Sequence, residues 1–278
     1  MVKKLLSGLK LYLIQGKRSQ TFLDAKWIRF LLKSTPRKLK KTVALNVLAL
    51  SPHYFLGEKT DNKRDFLIRE YKRNLSSRQL LYKHVVANYI SPESEVIDYG
   101  CGPGFLAKIV AAKARKLYAL DISDGVLLCA NTINHRENLN YLNVLKAGAN
   151  SIPDNSIDLI YTFAVLQHVS AKLVDDIFQL FYNKLKDNGK ALIQVQLLDP
   201  GWKTEDEWVA DNSLMGKFKY KYGLNCFSNT VSFYQQKLAN NKLDFLSMIQ
   251  MKELLPYSFD DIYNQQLIIA EKRQTQYH

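Results

Sequence analysis

The chain has 278 residues, of which 47% are apolar and 12% aromatic, and a formal net charge of +13 at pH 7. That is long enough for one large α/β domain with additions or for two small domains, and no run of about 18 uncharged apolar residues offers a transmembrane helix. Its three cysteines, Cys101, Cys129 and Cys226, are few, odd in number and widely spaced, which argues against a disulfide framework or a zinc site and for a reducing, cytoplasmic setting.

The charge is concentrated at one end. Residues 1–90 carry 20 Lys and Arg against 5 Asp and Glu, whereas residues 91–278 carry 19 against 21. A basic N-terminal extension, residues 1–60, thus precedes a nearly neutral body, residues 61–278. Such a surface suits an anionic partner, RNA or a membrane, and also serves simply as a solvated face.

Val2 to Lys17 is basic and amphipathic, with Leu5, Leu6, Leu9, Leu13 and Ile14 at helical spacing. Lys10 breaks its apolar run and no small-residue cleavage site follows, so it does not read as a secretory signal. Asp24 to Lys33 repeats the pattern with Trp27, Phe30 and Leu31. Thr35-Pro36 reads as a helix start, and an apolar run spans Val43 to Leu50. Residues 51–62 form an aromatic-bearing loop, suited to lining a pocket or to packing on the body. Asp61 to Arg73 and Ser77 to Tyr89 read as two helices, with Ser76-Ser77 capping the second. Without residues 1–50, this reading expects cofactor binding to survive largely intact.

The centre of the chain is Ser94-Glu95-Val96-Ile97-Asp98-Tyr99-Gly100-Cys101-Gly102-Pro103-Gly104-Phe105-Leu106. A short apolar strand runs into a glycine-dense turn and then an apolar helix, the first half of a nucleotide-binding βαβ unit. The spacing is G-x-G-x-G, not the G-x-G-x-x-G of a dinucleotide site. No Lys-Ser or Lys-Thr follows, as a P-loop would require. Asp98 would repel a pyrophosphate but tolerate a cation. The motif resembles that of the class I S-adenosylmethionine (SAM)-dependent methyltransferases, which bind a sulfonium and ammonium ligand without phosphate. The resemblance implies a seven-stranded, doubly wound Rossmann-like α/β sheet. It also implies a SAM site around Asp98, Gly100, Cys101, Gly102, Gly104 and Phe105. A helix ahead of the motif often covers the methionine moiety in that family, which makes Tyr71 and Arg78 candidates for holding its carboxylate.

Lys116 to Asp121 reads as a second strand ending in an acid. A carboxylate there can accept both ribose hydroxyls, so Asp121 is assigned to the ribose, although it or Ser123 also suits a helix cap. Ile122 is placed against the adenine. A third strand is expected over Leu142 to Lys146. Many relatives follow it with Gly-Asp-Ala, whose Asp reads the adenine amino group; here Gly148 stands in that place, leaving the Ala149 backbone or Asn150. Ser156 to Val169 reads as an acid, a fourth strand and a turn into a helix, similar to the family's Phe-Asp-Leu-Val…Val-Leu-x-His-Val pattern. Thr162 and Phe163 then lie near the transferred methyl. His168 is the candidate base, or a helix-start histidine bonded to local backbone.

Leu185 to Lys190 reads as a helix end and an Asn-Gly turn, and Ala191 to Val195 as the fifth strand. Residues 198–230, rich in aromatics, read as a lid inserted before the sixth strand. That strand is placed near Phe245 to Met251 and the seventh at Gln266 to Ala270. The expected activity is methyl transfer to a small molecule or natural product, at a hydroxyl or carboxylate oxygen, without a metal. The alternatives are an RNA methyltransferase reading through its basic N-terminus, and a SAM-binding protein without turnover.

Overall fold

The computed structural model describes residues 25–50, 54, 62–145, 148–197, 202–221, 225–256 and 264–274. The predicted helix over Val2 to Lys17, and most of the 51–62 loop, lie outside the described residues. Seven strands form one sheet: β1 (Glu95–Tyr99), β2 (Lys116–Asp121), β3 (Leu139–Asn143), β4 (Ile157–Thr162), β5 (Leu185–Val195), β6 (Leu243–Gln250) and β7 (Gln266–Lys272). Their spatial order is 3-2-1-4-5-7-6. The pairings among β1 to β5 are parallel, and β7 runs antiparallel to both β5 and β6. The strand order reverses between β1 and β4, and an open α/β sheet binds ligands outside the carboxyl ends of its strands at such a reversal.

The described α-helices begin with α1 (Ala25–Ser34), α2 (Lys40–Leu48), α3 (Lys63–His84), α4 (Phe105–Ala111), α5 (Asp124–Asn134) and α6 (Ala171–Lys184). They continue with α7 (Glu205–Ala210), α8 (Leu214–Lys221), α9 (Val231–Asn240) and α10 (Met251–Leu254). Successive strand residues face opposite sides of the sheet. Val96, Leu117 and Leu159 therefore pack with Leu81, Leu106 and Val110 on one face. Ile97, Leu120 and Ile160 pack with Phe178, Phe181 and Tyr234 on the other.

A third buried cluster joins the N-terminal helices to the body. Ile28, Leu32, Ala44, Val47 and Leu48 close over Phe105, Val126, Cys129 and Ile133, with Phe66 and Leu67 at the seam. The apolar stripe of α1 and α2 is thereby covered by the outer faces of α4 and α5, which is where an amphipathic helix gains its stability.

Several sequence expectations change. The two helices over 61–89 are one helix, α3, followed by a 3-10 turn over Val86–Tyr89. Ser77 does not cap, because its hydroxyl donates to the Asn74 carbonyl at 3.1 Å inside the helix. A helix does start after Thr35-Pro36, as a 3-10 turn over Arg37–Leu39 that runs into α2, but Thr35 does not cap it: its hydroxyl donates to the Leu31 carbonyl at 2.7 Å and closes α1. The third strand runs over Leu139–Asn143, earlier than predicted, paired from Leu117 with Leu139 to Asp121 with Asn143. The fifth strand starts at Leu185. Pairing with β4 jumps from Ile157–Leu185 to Leu159–Lys190, so Asn188, at φ 63°, and Gly189 form an excursion within the strand.

Candidate active site

The glycine turn is fastened before any ligand arrives. The Gly100 and Cys101 N–H groups both donate to the Leu120 carbonyl, at 2.8 and 2.9 Å, tying β1 to the end of β2. Gly104 begins α4 with φ 74°, a left-handed backbone that an L side chain rarely adopts. A Cβ there would also collide with the Tyr141 hydroxyl. Side chains of Val165, Tyr54 and Tyr141 pack where Cβ atoms would stand on Gly100, Gly102 and Gly104, so the turn admits only glycine at these close approaches.

Asp121 ends β2 beside that turn and is 8% exposed. Its Oδ2 accepts from the Gly102 N–H and its Oδ1 from the Ser123 N–H, both at 3.0 Å. Burial raises its pKa, and those backbone bonds oppose the rise. Ser123 caps α5 by accepting from Val126 N–H, so the cap belongs to Ser123 and not to Asp121. Ile122 presents its carbonyl to the Asn143 amide at 3.0 Å. Ala149 is buried and Asn150 exposed, within a 3-10 turn over Ala149–Ser151. Gly148 has a physical reason to replace the family's Asp: a Cβ there would sit 2.5 Å from the Asn143 carbonyl oxygen.

Asp98 is 5% exposed, and its pKa is lifted to about 7. Burial is the main cause; the Tyr161 hydroxyl and the Arg78 charge pull the other way, and Asp121 adds to the rise. The Tyr161 hydroxyl leans toward Asp98 without closing a well-formed hydrogen bond. Arg78 is thus brought electrostatically to Asp98, while its guanidinium also meets Ser77 Oγ at 3.1 Å. Tyr71 is placed otherwise: its ring packs edge-on against Phe105 at 5.5 Å. A residue that the site predictions did not single out, Tyr54, lies against Gly102, where a Cβ would be 3.0 Å from the ring. Burial, and then Asp121, push its phenol well above the ordinary value. The aromatic cluster at 54–55 was its only sequence signal.

A cationic ligand needs Asp98 ionised. Its affinity should therefore rise with pH up to about 7, by up to tenfold per pH unit below that value, then level off. Asp98→Asn should flatten this profile, and SAM calorimetry across the range checks it. The ligand-free protein should change in the opposite sense. Its folded carboxyl holds a proton that the unfolded chain has lost, so stability falls as pH rises from the ordinary carboxylate range toward 7.

At the end of β4, Thr162 is fully buried and Phe163 stacks at a tilt on Tyr161. Ala164 turns left-handed at φ 59°, and its N–H donates to Gln194 Oε1. Thr162 Oγ1, Gln194 Nε2 and Gln167 Oε1 are all buried without a hydrogen-bond partner. Orphans of this kind cost about 1–3 kcal/mol each unless a ligand or water meets them. His168 is engaged at both ring nitrogens. Nδ1 donates to the Asn225 carbonyl at 3.0 Å, and Nε2 lies 3.3 Å from the Gln167 amide nitrogen. Burial lowers its pKa and keeps it neutral. The ring thus ties the β4 turn to the far end of the insertion, where Phe227 N–H also donates to the Gln167 carbonyl at 2.6 Å. The near end is tied as well: Glu205 accepts from Ala171 N–H at 2.8 Å. Among the described residues, no cluster of three His, Cys, Asp or Glu could hold a metal ion.

A glycine turn at the end of β1, two buried carboxylates and unmatched polar atoms at the strand ends fit a cationic nucleoside ligand. Comparison with known proteins agrees. Residues 97–193 match the family model of a methyltransferase domain. An uncharacterized methyltransferase of Staphylococcus carnosus is 27% identical over 174 residues, which is 59% of this chain and 73% of that protein. A Listeria monocytogenes structure assigned to the SAM-dependent methyltransferases superposes with a TM-score of 0.50 at 21% identity, covering 71% of this chain and all (100%) of the other. Geranyl diphosphate C-methyltransferase of Streptomyces coelicolor, solved with Mg2+, geranyl-S-thiolodiphosphate and S-adenosyl-L-homocysteine, gives 0.54 at 15% identity over 89% of this chain and 97% of its own. These two structures speak to the fold. The matched stretch, which runs from β1 into β5, and the sheet around it define a class I SAM-dependent methyltransferase domain. Residues 97–193 thus carry a SAM-dependent methyltransferase domain, and the chain adds N-terminal helices and an insertion after β5 to it.

Proposed function

We propose that the chain methylates an oxygen, hydroxyl or carboxylate, of a small molecule or natural product in a reducing, cytoplasmic setting. The observation that carries this reading is the group of buried, unmatched polar atoms at the carboxyl ends of β4 and β5. The Gln194 amide nitrogen is a donor suited to an acceptor oxygen, and the insertion pinned through His168 and Glu205 bounds that space. Bound SAM supplies an electrophilic methyl on its sulfonium. Asp98 and Arg78 face the amino-acid end. The glycine turn (Gly100, Cys101, Gly102, Gly104) and Phe105 lie along the backbone side. Asp121 takes the ribose, and Ile122, Ala149 and Asn150 take the adenine. Thr162 and Phe163 border the methyl, and Tyr71 supports Phe105.

The protein's task in such a displacement is to align acceptor, methyl and sulfur and to exclude water. A carboxylate acceptor is already ionised near pH 7 and needs no base. A hydroxyl acceptor must lose a proton, and His168, with both nitrogens engaged, fits an orienting role better than a base. The test is transfer of labelled methyl from SAM into a source-cell extract separated into RNA, protein, lipid and small-molecule pools. Label among the small molecules is expected. Label in RNA, lost when the basic residues of 25–50 are neutralised, would overturn this reading in favour of an RNA methyltransferase.

A further inference from the structure

A cleft of about 490 Å³ opens between the N-terminal helices and α5, away from the residues described above. Thr35, Arg37, Lys40, Lys41 and Thr132 line it. Lys108 stands close by: burial, and then the charges of Lys41 and Arg136, hold it below the ordinary lysine value. None of these five cations makes an ion pair among the described residues. Residues 25–50 hold seven Lys or Arg and no Asp or Glu. Like charges gathered in a concave, partly desolvated place repel one another, and a bound anion relieves that repulsion. The hydroxyl protons of Thr35 and Thr132 are already given to the Leu31 and Leu128 carbonyls, so the cations carry the attraction.

The same segment exposes apolar side chains. Trp27, Phe30 and Leu39 are 46%, 71% and 53% exposed, while Ile28 and Leu32 on the inner side of α1 are buried. Trp27 and Phe30 lie one turn apart, with exposed Lys26, Arg29 and Lys33 beside them. Cations flanking exposed aromatic and aliphatic side chains match the headgroup region of an anionic bilayer. RNA would use the cations and could stack on the rings, but it would leave Leu39 in water.

We propose that this face docks on an anionic phospholipid surface, with a headgroup phosphate seated among Arg37, Lys40 and Lys41. The proposal does not depend on which acceptor is methylated. Its test is flotation of the full chain with vesicles of phosphatidylcholine alone and of phosphatidylcholine with phosphatidylglycerol. Binding is expected on the anionic vesicles only. Lys40→Ala with Lys41→Ala should weaken it about 25-fold, roughly fivefold for each cation. Trp27→Ala with Phe30→Ala should weaken it about tenfold at unchanged charge. SAM affinity by calorimetry should stay constant in both variants, which shows that they fold. Equal binding to neutral vesicles, or full binding by the double lysine variant, would overturn the proposal. So would saturable binding of poly(U) or inorganic phosphate by a protein that does not float with anionic vesicles.

Discussion

Removal of residues 1–50 should destabilise the whole domain and weaken SAM binding with it. The deletion takes away Ile28, Leu32, Val47 and Leu48, each no more than 7% exposed, and uncovers Phe105, Val126, Cys129 and Ile133. Returning Phe, Val and Ile side chains to water costs about 1.5–3 kcal/mol each. A loss of that order should lower the melting temperature by roughly 10 °C or more in a domain of this size. The bare patch would also favour aggregation. Phe105 is the first residue of α4, directly after Gly104, so loosening it loosens the glycine turn. Leu48→Ala tests the same contact within the full chain; Leu48 is 0% exposed, and its truncation should cost about 2–5 kcal/mol. A truncated protein that melts and binds SAM like the full chain would show the packing to be incidental. The sequence alone led to the opposite expectation, because a basic segment with alternating apolar residues reads equally well as a detachable arm.

Asp121→Ala should reduce SAM affinity at least tenfold. Its carboxylate holds the Gly102 and Ser123 N–H groups at 3.0 Å each, and bonds to a charged group are worth about 1.5–3 kcal/mol. The substitution therefore unpins the glycine turn and removes the proposed ribose acceptor together. Asp121→Asn retains one acceptor oxygen at nearly the same shape and should fall between the two. Calorimetry separates them. Affinity unchanged by the alanine would remove Asp121 from the cofactor site, leaving it only the turn to hold.

The difference between these two cases has a physical origin. Features dictated by local chemistry are legible in the residues alone. Apolar residues in a short run after Ser94 make β1, three glycines within five residues make the turn, and an acid after Leu120 ends β2. Each depends on neighbours a few positions away, so spacing alone exposes it. The parallel β1–β4 body and the class of cofactor were implied by the resemblance of these signals to a known family. Tertiary structure decided whatever depends on a distant partner. Ser77 stays inside α3 because its burial leaves the Asn74 carbonyl as its acceptor, although its residue type favours a cap. Gly148 lacks the family's carboxylate because the Asn143 carbonyl occupies the space for a side chain. His168 is committed to Asn225, 57 residues further on, and Tyr54 lies against Gly102, 48 positions away in sequence, with no periodic signal around it. The N-terminal helices became part of the core because α5 and Phe105 present an apolar surface that they cover together with Phe66 and Leu67 of α3. Periodicity states that a helix has a face to bury; the surface that receives it is set by the packing of the whole chain.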